Sequence, residues 1–305
     1  MLRAAAITLI LLWFPASVAA ENLEFCKRAD EAQNTKDYKT AIRHYTQCLE
    51  RGDLSTKSLF LALYNRGNAF LTMEQFAQAI EDYTQATRLD PVHAYALNNR
   101  GNALTRTGQL DQAIRDYDQA IQLAPKDDVP LFNRGHAYSL KQQYDQAIRD
   151  FGDAIRLNAD NVPAYNNRGN IYRRTGQYDE AILDFTQAIR LHSSNAIAYY
   201  NRGVAYAAKH QHDRADQDFG EAIRLNPNNA GAYSGRGRTR FLSGRLDAAI
   251  NDFKIAIERQ PNDPYAAIWL FLSQARTGRN GRNDLIKNAA PFAREIWPGP
   301  IIAML

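Results

Sequence analysis

The chain has 305 residues, of which 45% are hydrophobic, and its 37 basic and 33 acidic residues give a net charge of +4. This hydrophobic share is sufficient for a continuous core, and so small a charge surplus does not by itself indicate nucleic-acid binding. Sequences typical of a P-loop, a nucleophile elbow or a zinc protease are absent, and the six histidines lack metal-ligand spacing. We therefore predict a protein that is not an enzyme and that uses no metal and no cofactor.

The first 20 residues have the layout of a secretory signal peptide. Arg3 precedes an apolar run over residues 4 to 14, Pro15 breaks that run, and small residues follow at Val18 and Ala20. The run is shorter than the ~20 residues that a membrane-spanning helix needs, so we expect cleavage after Ala20 and no membrane span afterwards. Since no cysteine follows that position directly, we expect no lipid anchor and predict a periplasmic or secreted protein.

The chain has two cysteines, Cys26 and Cys48. In an oxidising compartment, such a lone pair more often forms a disulfide than a free thiol or a metal site. The two residues lie on opposite sides of a turn near Asp37, where two antiparallel helices would bring them level. We therefore predict a Cys26–Cys48 disulfide, which would contribute about 3 kcal/mol at the terminal repeat.

A 34-residue period runs through most of the chain. It carries a glycine at Gly67, Gly101, Gly135, Gly169, Gly203 and Gly237. An alanine follows at Ala79, Ala113, Ala147, Ala181, Ala215 and Ala249, an aromatic residue at Tyr83, Tyr117, Phe151, Phe185, Phe219 and Phe253, and a second alanine at Ala86, Ala120, Ala154, Ala188, Ala222 and Ala256. Self-similarity this strict indicates one supersecondary unit that is stacked many times.

Each period is predicted to be two helices joined by a tight turn, because its apolar residues are three to four positions apart. In one period, the first helix contains Tyr165, Gly169 and Tyr172, and the second starts at Tyr178 after the turn at Gly176. Prolines end the second helices, at Pro91, Pro125, Pro227 and Pro261. A mid-helix glycine costs roughly 0.5–1 kcal/mol, so we interpret the periodic glycines as sites where the periodic alanine of the second helix packs closely.

These residues closely resemble the tetratricopeptide repeat, or TPR. The resemblance implies an all-α fold, a right-handed superhelical solenoid of antiparallel helix pairs with a helical C-terminal cap. It covers residues 21–263 as seven units, of which the first is divergent and has Ala29 in place of the glycine. Because Ala29 and Gly67 are 38 residues apart, four extra residues between 51 and 58 are expected to make a longer connection.

Residues 264–305 depart from the period and are predicted to be C-terminal capping helices followed by a Trp-Pro tail. One helix is expected over residues 264 to 277 and another over 284 to 294, ahead of Trp297 and an apolar end. This tail resembles that of exported bacterial TPR proteins, including the new lipoprotein I family. That resemblance implies an adaptor that holds an envelope protease or cell-wall hydrolases.

Two polar columns accompany the repeat. Arginine precedes each glycine, at Arg66, Arg100, Arg134, Arg168, Arg202 and Arg236, and aspartate precedes each aromatic residue, at Asp82, Asp116, Asp150, Asp184, Asp218 and Asp252. The columns fall at about the same height on the paired helices, so we interpret them as ion pairs worth ~0–1 kcal/mol each if exposed, with ligand binding as the alternative. The role of a third column is open between structure and binding: Asn65, Asn99, Asn133, Asn167 and Asn201.

In TPR arrays the first helices line a concave groove, and the resemblance places binding residues three positions before the glycine and one, four and five after it. The predicted peptide-binding residues are Asn98, Asn102, Arg106, Phe132, His136, Asn166, Asn170, Arg173, Arg174, Tyr200 and Arg238. Amides, arginines and aromatic rings suit a peptide of some acidic character. The cations of the TPR carboxylate clamp are not matched, since Tyr64, Asn98, Phe132 and Val129 stand in their places.

The predicted function is therefore a non-enzymatic adaptor or scaffold of the bacterial envelope. It would bind partner proteins or peptides in this groove and no nucleic acid. The alternative is a binding subunit for cell-wall glycan or exported polysaccharide, whose sugars the aromatic rings and arginines would contact. The identity of the partner and the oligomeric state stay open.

Overall fold

The computed structural model describes residues 16–50, 54–261 and 263–289. Residues 1–15 of the predicted signal peptide and the predicted Trp-Pro tail lie outside them. Regular structure in the described residues is helical: α1 (Ala16–Asn34), α2 (Tyr38–Glu50), α3 (Thr56–Thr72), α4 (Phe76–Leu89), α5 (Ala94–Arg106), α6 (Leu110–Leu123), α7 (Asp128–Leu140), α8 (Tyr144–Leu157), α9 (Val162–Arg174), α10 (Tyr178–Leu191), α11 (Ala196–Ala208), α12 (His212–Leu225), α13 (Ala230–Leu242), α14 (Leu246–Arg259), α15 (Pro264–Arg276) and α16 (Arg282–Ala289). The predicted all-α fold class is confirmed.

The chain divides into two compact parts, Met1–Ala147 and Ile148–Leu305, which we call the N-terminal and C-terminal parts. In the N-terminal part, α1 pairs with α2, α3 with α4 and α5 with α6, and each second helix also packs on the first helix that follows. In the C-terminal part, the pairs are α9 with α10, α11 with α12 and α13 with α14, and α14 packs on α15, which contacts α16. Among the helices named here, each therefore packs on the next one along the chain within its part.

Short polar residues start the first helices, and a left-handed residue ends the turn inside each pair. Asn161, Asn195 and Asn229 are N-caps whose side chains accept a hydrogen bond from a backbone N–H three residues further on. The left-handed position is glycine in several turns, as at Gly176 with φ 80°, but it is Gln142 with φ 59° in another. The tight turn thus requires a backbone conformation that glycine adopts at no steric cost.

The periodic aromatic rings form the core between the two helices of each repeat. Tyr83, Phe185 and Phe253 are fully buried, as are the periodic alanines. A Cβ added at Gly169 would lie 2.9 Å from the Phe185 ring, and the same contact recurs in other repeats. The expectation that the periodic alanine of the second helix packs on the glycine was therefore wrong: the aromatic ring, which needs more room, takes that place.

The four extra residues of the first repeat boundary lengthen a helix. We expected a longer connection, but α3 begins at Thr56 and has 17 residues where α5 has 13. Ser55 caps the longer helix by accepting a hydrogen bond from the Ser58 backbone N–H at 3.1 Å. The added turn also places Phe60 in a buried cluster with Leu63, so apolar burial stabilises it as helix.

The two ends of the described chain agree in part with the sequence. Cys26 on α1 and Cys48 on α2 form the predicted disulfide, with their Cα atoms 5.4 Å apart. Helix α1 already begins at Ala16, so it runs across the predicted cleavage position after Ala20, and cleavage stays a prediction. After the last period, α15 lies where a helix was predicted, whereas α16 begins at Arg282 because its backbone N–H is capped by the Asn280 side chain.

Candidate functional site

The eleven predicted binding residues all lie on first helices. In the N-terminal part α5 touches both α3 and α7, and in the C-terminal part α9, α11, α13 and α15 touch in succession. We call the surface that the eleven residues define the first-helix face, and it consists of two regions, one in each part. Asn98, Asn102, Arg106, Phe132 and His136 belong to the N-terminal part, and Asn166, Asn170, Arg173, Arg174, Tyr200 and Arg238 belong to the C-terminal part.

In the N-terminal part, two of the predicted residues are already engaged in the fold. Asn98 is buried, and its side-chain oxygen accepts a hydrogen bond from Asn133 at 2.9 Å. Arg106 forms an exposed ion pair with Glu74 at 3.3 Å, and its guanidinium lies 4.8 Å from the centre of the Phe76 ring. His136 is exposed, and Asn102 and Phe132 are half-buried. In this region, fewer of the predicted residues are therefore available to contact a ligand than the sequence indicated.

In the C-terminal part, two predicted residues carry buried polar atoms without a partner. The Asn166 side-chain oxygen and the Arg173 Nε make no hydrogen bond within the described residues. The two residues are seven positions apart on α9, which is about two turns, so they lie on the same side of that helix. Asn170 is half-buried between them and Arg174 is exposed. An unsatisfied acceptor and donor in line suit the backbone of an extended peptide.

Tyr200 and Arg238 line two neighbouring cavities further along the same face. The first cavity, of about 310 Å³, is lined by Val204, Ala207, Ala208, Phe219, Gly235, Arg238, Thr239, Leu242 and Trp269. The second, of about 270 Å³, is lined by Tyr200, Gly231, Ser234, Arg238, Asp263, Tyr265, Ala266 and Trp269. Arg238 and Trp269 belong to both cavities, so the structure brings two sequence-predicted residues together around a tryptophan that sequence reasoning missed.

A signal for the missed residues exists in the asparagine column. The next two members of that column after Asn201, at the same 34-residue interval, are Gly235 and Trp269. Neither residue is an asparagine, so the column ends at Asn201. A departure from a periodic residue is thus as informative as the period, because it marks a place where the packing of one repeat differs from the others.

The arginine and aspartate columns form the predicted ion pairs. Five pairs lie within one part or the other: Arg66–Asp82, Arg100–Asp116, Arg168–Asp184, Arg202–Asp218 and Arg236–Asp252. Three of these arginines also donate to a threonine of the preceding second helix, as Arg202 does to Thr186 at 3.0 Å. These hydrogen bonds occupy the guanidinium groups, so the pairs have a structural role.

The ion pairs are more buried than the sequence could indicate. The aspartate side chains are 0–9% exposed and the arginine side chains 17–20% exposed. The value of ~0–1 kcal/mol applies to exposed pairs and therefore does not apply here. Burial raises the pKa of Asp82 and Asp184, and the hydrogen bonds from Arg66 and Arg168 oppose that rise.

The asparagine column connects successive repeats in the N-terminal part. Asn99 donates to the side-chain oxygen of Asn68 on the preceding first helix at 2.9 Å, and Asn133 donates to Asn98 in the same way. Asn65 donates to Asp30 at 3.4 Å. For these three asparagines, the question that the sequence left open is answered in favour of a structural role.

In the residues that the structure describes, no group of three or more His, Cys, Asp or Glu side chains is placed to hold a metal ion. Likewise, none of the described helices combines the length and the apolar character needed to cross a bilayer.

Comparisons with known proteins place these observations in a family. Models described as tetratricopeptide repeat match residues 64–128, 116–149 and 196–229, and a model described as TPR repeat matches 140–176 and 169–210. These matches run without a gap from residue 64 to 229, which is more than half of the chain. No curated protein sequence matches.

Solved structures share the fold. A TPR protein from Parabacteroides merdae is 22% identical with a TM-score of 0.61, and the alignment covers 84% of this chain and 99% of that one. YrrB, described as a TPR protein with an unusual peptide-binding site, is 23% identical with a TM-score of 0.54, covering 60% of this chain and 95% of YrrB. MamA is 27% identical with a TM-score of 0.51, covering 52% of this chain and 94% of MamA.

Proposed function

This chain belongs to the tetratricopeptide repeat family, and from that premise we propose that it is a non-enzymatic adaptor of the bacterial envelope. It holds partner proteins or peptides on its first-helix face. The fold supports a scaffold for protein–protein interaction, because stacked repeats build an extended surface. The partner class that the C-terminal tail suggests is an envelope protease or a cell-wall hydrolase.

The observation that carries the proposal is the set of polar groups on the first-helix face of the C-terminal part. Asn166 and Arg173 have buried polar atoms without partners, and Arg238 is exposed at two cavities. A native protein leaves few buried polar groups unsatisfied, so each one that remains needs a partner from outside the chain or another physical reason. A peptide laid along this face would supply the missing hydrogen bonds and an acidic group for the arginines.

The envelope location is supported by residues 1 to 20 and by the disulfide. The signal-like segment implies export with cleavage after Ala20, and a Cys26–Cys48 disulfide suits an oxidising compartment. Amino-terminal sequencing of the protein purified from cells tests this point. Glu21 as the first residue is expected, and an intact Met1 in protein recovered from the envelope would contradict it.

The function is tested by cross-linking in intact cells followed by mass spectrometry of the captured proteins. The key variant is Arg173→Ala with Arg174→Ala, and the matched control is Arg190→Ala with Arg224→Ala on exposed positions of α10 and α12. Loss of two interface arginines is expected to weaken the binding of a captured partner by ~2 kcal/mol, which is about thirtyfold in affinity. The control variant is expected to bind that partner normally. The thermal unfolding curve should hardly move in either.

Three results would contradict the proposal. The first is that no envelope protein is enriched over the Arg173→Ala, Arg174→Ala variant. The second is that this variant binds its partner normally but unfolds early. The third is co-sedimentation with purified peptidoglycan that depends on the same arginines in the absence of any protein partner, since that result would favour a glycan-binding subunit.

A further inference from the structure

The asparagine column is interrupted at one place in the C-terminal part. Asn201 is buried on α11, but the next two positions of the column are Gly235 on α13 and Trp269 on α15. A glycine therefore stands between a buried amide and a large ring. The missing side chain at Gly235 opens the first cavity, of which both Gly235 and Trp269 form walls.

Apart from Arg238 and Thr239, whose hydroxyl donates to the Gly235 backbone carbonyl at 2.9 Å, the lining of this first cavity is apolar. Its floor is the ring of Phe219, which lies so close that a Cβ at Gly235 would be 2.7 Å from it. Val204, Ala207 and Leu242 form other walls, and Leu242 is 57% exposed at the rim. A cavity of about 310 Å³ with such walls suits one large aliphatic or aromatic side chain, which would bury its surface from water.

Arg238 is the charged group at the boundary with the second cavity. Its side chain is exposed, and it forms no ion pair within the described part of the chain. In the second cavity, the hydroxyl oxygen of Ser234 is buried without a hydrogen-bond partner. Asp263 also lines this cavity, where its carboxylate caps α15 by accepting from the Tyr265 backbone N–H at 3.0 Å.

We propose that these two cavities bind a peptide segment in which a large apolar residue stands beside an acidic one. The apolar side chain enters the cavity over Phe219 and Gly235, and the carboxylate pairs with Arg238. The peptide backbone then continues over the second cavity, where it satisfies the Ser234 hydroxyl. This inference rests on the proposed function, since it specifies the sequence that the first-helix face recognises.

The acidic group is an Asp or Glu side chain inside the segment, and not the carboxylate of a chain end. Arg238 also lines the second cavity, of about 270 Å³, so there is space beside the arginine for the chain to continue. A terminal carboxylate in that space would also lie near Asp263, whose negative charge disfavours it. Charge complementarity at Arg238, with an apolar site beside it, therefore selects an internal pair of residues.

The experiment is selection of binders from a displayed library of random peptides, each flanked on both sides by constant sequence, on the full chain. Selected peptides are then synthesised with both ends blocked and titrated by fluorescence anisotropy. We expect the selected sequences to share Leu, Met or Phe beside Asp or Glu. Arg238→Glu and Leu242→Ser change exposed positions, and we expect weakening of about tenfold and about fivefold, respectively. Their matched controls, Arg190→Glu and Leu183→Ser, change positions on α10 that are also exposed, and affinity is expected to stay the same.

Gly235→Asn tests the first cavity separately, because the asparagine side chain restores the residue type of the column and fills that cavity. We expect it to weaken the same peptides about tenfold, and Leu242→Ser keeps the test decisive if the asparagine variant does not fold. One result would overturn this inference and leave the proposed function standing. It is that the affinity of the selected peptides falls in Arg173→Ala with Arg174→Ala but is unchanged in Arg238→Glu and in Leu242→Ser. Peptides that bind only with a free terminal carboxylate would overturn the internal acidic residue. Selection of no peptide at all would count against both.

Discussion

Arg168 on α9 and Asp184 on α10 form a two-point ion pair. The arginine Nε donates to Asp184 Oδ2 at 2.8 Å and its Nη2 donates to Oδ1 at 2.7 Å, and the side chains are 20% and 6% exposed. Burial raises the pKa of Asp184, and the hydrogen bonds from Arg168 oppose that shift. The guanidinium therefore favours the charged form of a carboxylate whose burial disfavours that form.

We expect Arg168→Ala to lower the free energy of unfolding by about 3 kcal/mol, the low end for breaking a buried pair, because the arginine is partly exposed. The change leaves a buried carboxylate without its partner. Urea denaturation at neutral pH measures the effect. Arg190→Ala, which removes an exposed arginine bonded to Gln187, is the control and should change stability by no more than about 0.5 kcal/mol. Equal losses in the two variants would show that the pair contributes nothing.

The cost of Arg168→Ala should depend on pH. Without the opposing hydrogen bonds, the pKa of Asp184 rises further above its value in the unfolded chain. A carboxyl whose pKa is higher in the folded state favours folding below the unfolded pKa, and that contribution is lost as pH rises through the folded pKa. The stability difference between wild type and variant should therefore grow from about pH 4 to pH 7. Denaturation curves at both ends of this range test it, and a difference that shrinks with pH would contradict the burial of Asp184.

The periodic glycines should tolerate no side chain. In Gly169→Ala, the new Cβ would lie 2.9 Å from the Phe185 ring, so we expect a loss of about 1–3 kcal/mol from overpacking. Gly220→Ala on α12 is the matched control, because its Cβ would be 3.9 Å from the nearest atom, Arg236 Nη1. There we expect a gain of roughly 0.5–1 kcal/mol from helix propensity. Chemical denaturation of both variants measures the change in the free energy of unfolding. A change of the same sign in both would refute the close contact at Gly169.

A glycine should improve one of the turns. Gln142 is exposed and has φ 59°, a left-handed conformation that a side chain disfavours. We expect Gln142→Gly to raise the free energy of unfolding by about 1 kcal/mol. The reverse change, Gly176→Gln at φ 80°, should lower it by a similar amount. Thermal unfolding of the two variants is the measurement, and destabilisation by Gln142→Gly would mean that the side chain has a contact of its own.

The disulfide should anchor the first helix pair. Cys26 and Cys48 are 22 residues apart in sequence, and we expect their replacement by alanine to cost about 3 kcal/mol. Mass spectrometry of unreduced protein from the envelope should show a chain two hydrogens lighter than the dithiol form. Two titratable thiols in that protein would contradict both the bond and the proposed compartment.

The repeat of 34 residues determined by itself where the paired helices lie and which charged side chains stand at the same height on them. The Arg168–Asp184 contact was predictable because two residues at the same height on antiparallel helices must meet whatever surrounds them. The sequence also indicated the Cys26–Cys48 pair for the same reason. Relations of this kind depend on spacing along two adjacent helices, and spacing is visible in a sequence.

Only the tertiary structure decided how deeply the ion pairs are buried, which residue packs on Gly169, and how α3 absorbs its extra turn. It also decided that Gly235 and Trp269 enclose a cavity beside Arg238. These features involve side chains from three or four helices of different repeats, whose sizes must fit one another in three dimensions. The period indicates that such neighbours meet, but the space left between a glycine, a phenylalanine and a tryptophan depends on the packing of all of them together.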